Sequence, residues 1–204
     1  MTAPLSPMGV LVRRHDPDRF FCALFASPVQ REALFTLYAF NHELARAREV
    51  ASEPTLALIR LQWWREVVEG ASKRHEVATP LSEAIAQGLL VPADLLAMID
   101  GREAEAGGGF ATTADWLAYL EAVAGRLMAV AGGLLGAQDF DRLRALGTAY
   151  GIAGQLRSVS VLARAGRFQL PEDALLAGGL TTHDVIAHRE PERLLVILRD
   201  LAGQ

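Results

Sequence analysis

The sequence predicts an all-α fold, organised as a single domain over residues 1–204. Three observations carry this reading. Apolar residues recur at three- and four-residue spacing through most of the chain. No segment sustains the two-residue alternation of a half-buried strand. Proline stands at the head of one helical segment after another, where its missing N–H costs nothing.

Taken in order, Ser27-Pro28 opens a helix to about Val50, with Leu34, Leu37, Tyr38, Phe40 and Leu44 on its apolar stripe. Pro54 opens a second, on which Leu56, Ile59, Trp63 and Val67 form one stripe and Leu58, Leu61, Trp64 and Val68 widen it. A helix that is apolar over most of its circumference should be largely buried. Thr79-Pro80 starts a short helix to about Leu90, and Pro92 another to about Glu105. Gly107 to Gly109 is a break. Thr112 or Thr113 caps a helix to about Leu135, and Asp139 begins a long one to about Ala165. Pro171, Thr182 and Pro191 start three short helices. Residues before Ser27 are assigned none, and the chain shows no repeat, low-complexity tract or linker.

Composition narrows the function classes. The chain has 204 residues, 51% hydrophobic, with a formal net charge of −4. Such a balance gives no general attraction to nucleic acid, and no nucleic-acid motif is present. The basic residues are 19 arginines and one lysine, Lys73. The single cysteine, Cys22, excludes an internal disulfide. Its setting, Phe20 to Phe25, predicts a buried small hydrophobe. The longest apolar run, Leu127 to Ala137, has 11 residues, against about 20 for a membrane-spanning helix. Met1 to Arg14 lacks a signal-type apolar core. A cytoplasmic protein, or one peripheral at the inner face of the cytoplasmic membrane, is expected.

The segment between Asp141 and Glu172 holds five arginines and no carboxylate. It contains Gly147-Thr-Ala-Tyr-Gly-Ile-Ala-Gly-Gln155-Leu-Arg157 and, further on, Gly166-Arg-Phe-Gln-Leu-Pro171. Together with Asp18-Arg-Phe-Phe, the Arg31 to Phe40 segment, Trp63-Trp64, the Val77 to Ile85 stretch and Tyr119 to Gly125, it resembles the squalene/phytoene synthase family over roughly residues 16–176. The resemblance implies an isoprenoid-synthase-like helical bundle. It also implies further helices beyond Pro171 than this sequence supplies, whose absence would leave an apolar groove.

Active members of that family carry aspartate-rich motifs on two facing helices. A prenyl diphosphate is strongly anionic, and its departure needs Mg²⁺ held by oxygen ligands. Carboxylates three or four apart share a helix face and can hold such metals. Here the first motif's aspartate pair falls on Ala45 and Arg46 and the third on Glu49. Glu43 and Glu49 are six apart and point to different faces. The second motif, Arg157-Ser-Val-Ser-Val-Leu-Ala-Arg164, has no acid. Neither Mg²⁺ nor another metal is therefore expected, and His183 and His188, five apart, do not make a pair on one face.

A narrower resemblance is to a non-catalytic branch of the same family, typified by the mitochondrial complex I assembly factor and its bacterial relatives. It rests on Ala39-Phe-Asn41-His-Glu43-Leu-Ala45, then Val50-Ala-Ser52-Glu53, then Leu58-Ile-Arg60-Leu-Gln62-Trp-Trp64. It implies an assembly or interaction factor with a protein partner in respiratory complex I or an assembly intermediate. Two alternatives stand beside it: a transferase condensing prenyl diphosphates, and a module binding an isoprenoid or lipid in the retained cavity.

Site candidates follow, each with a structural counterpart. Asn41, His42, Glu43, Arg60 and Gln62 are candidate cavity polar residues; pairing between helices is the competing account. Arg157, Arg164 and Arg167 are candidate anion-binding residues, or solvated arginines near a helix C-terminus. At least one of Trp63 and Trp64 is expected in the core. Gly151 and Gly154 are expected to allow close helix packing. No catalytic residue is assigned.

Overall fold

The computed structural model describes residues 4–51 and 53–204; Ser52 of the branch resemblance lies outside them. Two helices precede those read from the sequence: α1, Pro7–His15, and α2, Pro17–Ala23. Both carry the signals used elsewhere. Ser6 and Asp16 cap them with side-chain oxygens that accept from Gly9 N and Arg19 N, and each is followed by proline.

The next six helices are α3, Pro28–Glu49; α4, Pro54–Val68; α5, Ala78–Ala86; α6, Pro92–Ala106; α7, Thr113–Leu120; and α8, Arg126–Leu134. The last two are continuous through a π-turn, Glu121–Gly125. Then come α9, Phe140–Arg164; α10, Glu172–Ala177; α11, Thr182–Ile186; and α12, Pro191–Ala202. Among the described residues there is no strand, only an isolated bridge between Phe110 and Pro171.

Two apolar clusters organise these helices. The first joins α1 to α6 and α8 around Phe35, Leu37, Phe40, Leu61, Trp64, Leu81 and Met98. The second joins α7, α9 and α10 to α12 around Trp116, Leu120, Ile152, Leu175 and Ile197. The α7–α8 run, Thr113–Leu134, is long and apolar enough by length and composition to cross a membrane, which a count of consecutive apolar residues misses. Trp116, Tyr119, Leu120, Val123 and Leu127 on it are core residues here.

Glycine sets how closely this run approaches α9. A Cβ on Gly147 would lie 2.6 Å from Ala124 O and 2.8 Å from Gly125 Cα; one on Gly151 would lie 2.8 Å from Ala124 Cβ. Gly154, also read as a packing glycine, meets nothing within 4 Å and opens onto the cavity described below.

Two expectations need correction. In α4 only Ala57, Leu61, Trp64, Val67 and Val68 are buried, while Leu56, Leu58 and Ile59 are exposed. The helix packs on α3, α5 and α6, which leaves its opposite face unused. Cys22 is exposed, not core, because α2 turns only Phe20 and Ala23 inward.

Candidate functional site

The two helices that bear the motif regions face each other across a cavity of ≈ 270 Å³. From α3 come Asn41, Ala45 and Glu49, spaced by one turn each. From α9 come Gly151, Gln155, Ser158 and Leu162, again one stripe, with Gly154 and Tyr150 beside it. The π-turn adds Val123 and Ala124, and Leu120 and Leu127 complete an apolar wall. π-Turns within α-helices re-aim side chains and recur at functional sites.

The opposite wall is polar and built around Glu105, which is only 6% exposed. Its carboxylate accepts from Arg102 Nη1 at 2.9 Å and Tyr119 Oη at 2.9 Å. It also accepts from Gln169 Nε2, and Arg167 Nη2 lies 3.6 Å away. Arg102 Nη1 donates as well to Tyr119 Oη at 3.0 Å. Burial alone would raise the Glu105 pKa, but the Arg102 guanidinium and the hydrogen bonds reverse this and hold it below the usual carboxylate range. Burial pushes the Tyr119 hydroxyl well above its ordinary value, with Arg102 opposing and Glu105 adding. Glu105 is thus ionised and saturated with donors.

Arg19 closes one side of the cavity. Its guanidinium lies 5.2 Å from the Tyr150 ring centre and 5.7 Å from that of Tyr38. It pairs with Asp16 Oδ2 at 2.5 Å. Glu49 and Tyr150 are exposed residues of the lining.

The sequence candidates divide. Asn41 and Arg167 line the cavity. His42 and Glu43 are half-buried on other faces of α3: His42 stacks on His15, and Glu43 pairs with Arg46 at 3.2 Å. Arg60 and Gln62 are exposed on α4 and away from the cavity. Nor does Arg60 form an ion pair with Glu43 or Glu49. Arg157 and Arg164 are exposed on the outer side of α9, since the inward stripe is occupied by Gln155, Ser158 and Leu162. The lining residues missed in the sequence are Arg19, Arg102, Glu105 and Gln169. Arg102 and Glu105 stand one turn apart in a segment read only as helix. Gln169 lies in the quoted Gly166 to Pro171 run.

The two motif helices therefore offer the cavity one carboxylate, Glu49, and Ala45 stands on the inward stripe of α3. Among the described residues no group of three histidine, cysteine, aspartate or glutamate side chains is placed to hold a metal ion. A second hollow, ≈ 680 Å³ in volume, lies between α7 and α9, where Leu117, Ala118, Ala145 and Ile152 stand beside Glu121, Asp141 and Arg144.

The squalene/phytoene synthase family profile matches residues 12–204. The chain belongs to the squalene/phytoene synthase family. Among solved structures, a dehydrosqualene synthase in complex with ligand superposes with a TM-score of 0.79 at 18% identity, covering 97% of this chain and 71% of that one. A squalene synthase from Alicyclobacillus acidocaldarius gives a TM-score of 0.76 at 21% identity, covering 96% of this chain and 78% of that one. At these identities the likeness concerns the fold.

The curated relatives of this family member carry a different name. The human protein called NADH dehydrogenase (ubiquinone) complex I, assembly factor 6, is 27% identical over 202 residues, covering 95% of this chain and 61% of its own length. The mouse protein of that name is 29% identical over 203 residues, with the same coverage. The Drosophila melanogaster homologue is 26% identical over 196 residues, covering 90% of this chain and 59% of its own. The chain spans about three-fifths of the length of these relatives.

Proposed function

We propose that this protein is a non-catalytic member of the family, an assembly or interaction factor linked to respiratory complex I. The observation that carries the reading is the donor set of the two motif helices. On α3 the inward stripe is Asn41, Ala45 and Glu49, with Ala45 where the family resemblance implies an aspartate, and on α9 it is Gly151, Gln155, Ser158 and Leu162. A cluster of divalent cations needs several anionic oxygens converging from both sides. Glu49 stands alone, and Glu105 is already committed to Arg102, Tyr119 and Gln169. These residues do not fit Mg²⁺. The names of the curated relatives, complex I assembly factor 6, support an association with complex I; the partner in this reading is a complex I subunit or an assembly intermediate. Its place is the cytoplasm or the inner face of the cytoplasmic membrane.

The retained cavity favours one second reading. Its apolar wall, Leu120, Val123, Leu127 and Leu162, faces a polar wall, so it suits an amphiphile such as an isoprenoid or lipid without any condensation chemistry.

The test is incubation of the purified protein with labelled prenyl diphosphate and Mg²⁺, with calorimetric titration of Mg²⁺ alongside. The expected result is no squalene- or phytoene-type product and no saturable Mg²⁺ binding that depends on the diphosphate. Product formation would restore the transferase reading. A lipid recovered on extraction, without product, would favour the binding module.

A further inference from the structure

His15, the last residue of α1, stacks on His42 of α3 with ring centres 4.1 Å apart and planes 21° from parallel. His42 Nε2 is buried and has no hydrogen-bond partner. A proton placed there would be desolvated without an acceptor. A second proton on His15 would put two like charges in contact.

The neighbouring charges do not relieve this. Of the carboxylates nearest His42, Glu43 is engaged by Arg46 and Asp16 by Arg19. α1 brings Arg13 and Arg14 to the same end, and α3 adds Arg46. The remaining titratable groups of this corner are Asp18 and Cys22 on α2 and Tyr38 on α3. Accordingly, burial first, then His15 and Arg46, hold the His42 pKa below that of an ordinary imidazole, with Glu43 and Asp16 opposing.

The corner bears on the cavity. His15 is followed directly by Asp16, which caps α2 and pairs with Arg19, and Arg19 lies against Tyr38 and Tyr150 on the cavity's edge. We infer that the stacked His15–His42 pair is an acid-released latch. With a neutral His42 ring it holds the end of α1, and Asp16 and Arg19 with it, at the cavity's edge; with His42 charged the stack opens and this end loosens from α3, while Met8, Val12 and Phe20 stay in the core. A histidine whose folded pKa is depressed contributes stability that is complete above the unfolded value and is lost as pH falls toward the folded one. Release therefore sets in below the ordinary histidine range, about pH 6.5.

The experiment is amide hydrogen exchange of the full chain from about pH 8 to about pH 5, corrected for intrinsic rates, with imidazole titration by NMR. In the native protein, exchange across α1 and α2 is expected to rise roughly tenfold relative to α6 at the acid end. In His15→Gln the stacked partner is gone while the burial of His42 remains, so the rise should shrink and the His42 midpoint should move up part of the way toward that of a free imidazole. An unchanged exchange profile at acid pH in the native protein would overturn the latch. So would an acid step of native size in His15→Gln, or a His42 midpoint that the substitution leaves where it was.

Discussion

Replacing Glu105 with alanine is expected to destabilise the protein by about 3–5 kcal/mol, because it strands a charge inside the fold. Arg102 Nη1 has Glu105 and Tyr119 as its partners, and Arg102 Nε is buried with none. Without the carboxylate, a guanidinium is left facing a phenol and an amide, and Gln169 loses its acceptor. The pH dependence has a defined sign. The Glu105 pKa is lowered in the folded state, so its stabilising contribution is complete above the unfolded value of about 4.3 and fades as pH falls through the folded value. The deficit of Glu105→Ala should be full at neutral pH and shrink only in strong acid. Denaturant unfolding of both proteins checks this; a loss of less than about 1 kcal/mol at neutral pH would mean that the pair is not closed in solution.

Trp64→Ala is expected to cost about 3–5 kcal/mol, with Trp63→Ala costing about half as much. Trp64 is 4% exposed and sits edge-on to Phe40 at 5.6 Å, Trp63 at 4.9 Å and His75 at 5.2 Å. Trp63 packs at the border of the same cluster and keeps part of its surface in water. For a chain of this size, the Trp64 substitution should lower the melting midpoint by roughly 10 °C. Equal shifts for the two variants would contradict the assignment of Trp64 to the core and Trp63 to its edge.

The long helices were legible because each begins with a physical signal. Proline heads α3, α4 and α6, a side-chain cap heads α7 and α9, and each carries a helical stripe of apolar residues. α1 and α2 carry the same proline-and-cap signal over nine and seven residues, so their starts at Ser6-Pro7 and Asp16-Pro17 were as legible as those of the shorter α10 and α11. The α3 and α9 walls of the cavity were legible as well, since Asn41, Ala45 and Gln155 lie in segments that align with the motif regions. The third wall was not. Glu105, Arg102 and Gln169 become a site only when α6 and the loop after α9 meet in space, and 64 residues separate Glu105 from Gln169. The branch resemblance also drew attention to Arg60 and Gln62, but α4 turns Ala57, Leu61 and Trp64 inward, which puts both on the outside.

The most direct measurement is the amount of assembled respiratory complex I in cells lacking this gene, read on native gels together with NADH dehydrogenase activity. A clear fall in both is expected, restored by the wild-type gene and also by a variant in which Glu49, the one carboxylate the two motif helices offer the cavity, is replaced by glutamine. Normal complex I in the deletion strain would contradict it, and so would rescue that depends on the Glu49 carboxylate together with a condensed prenyl product.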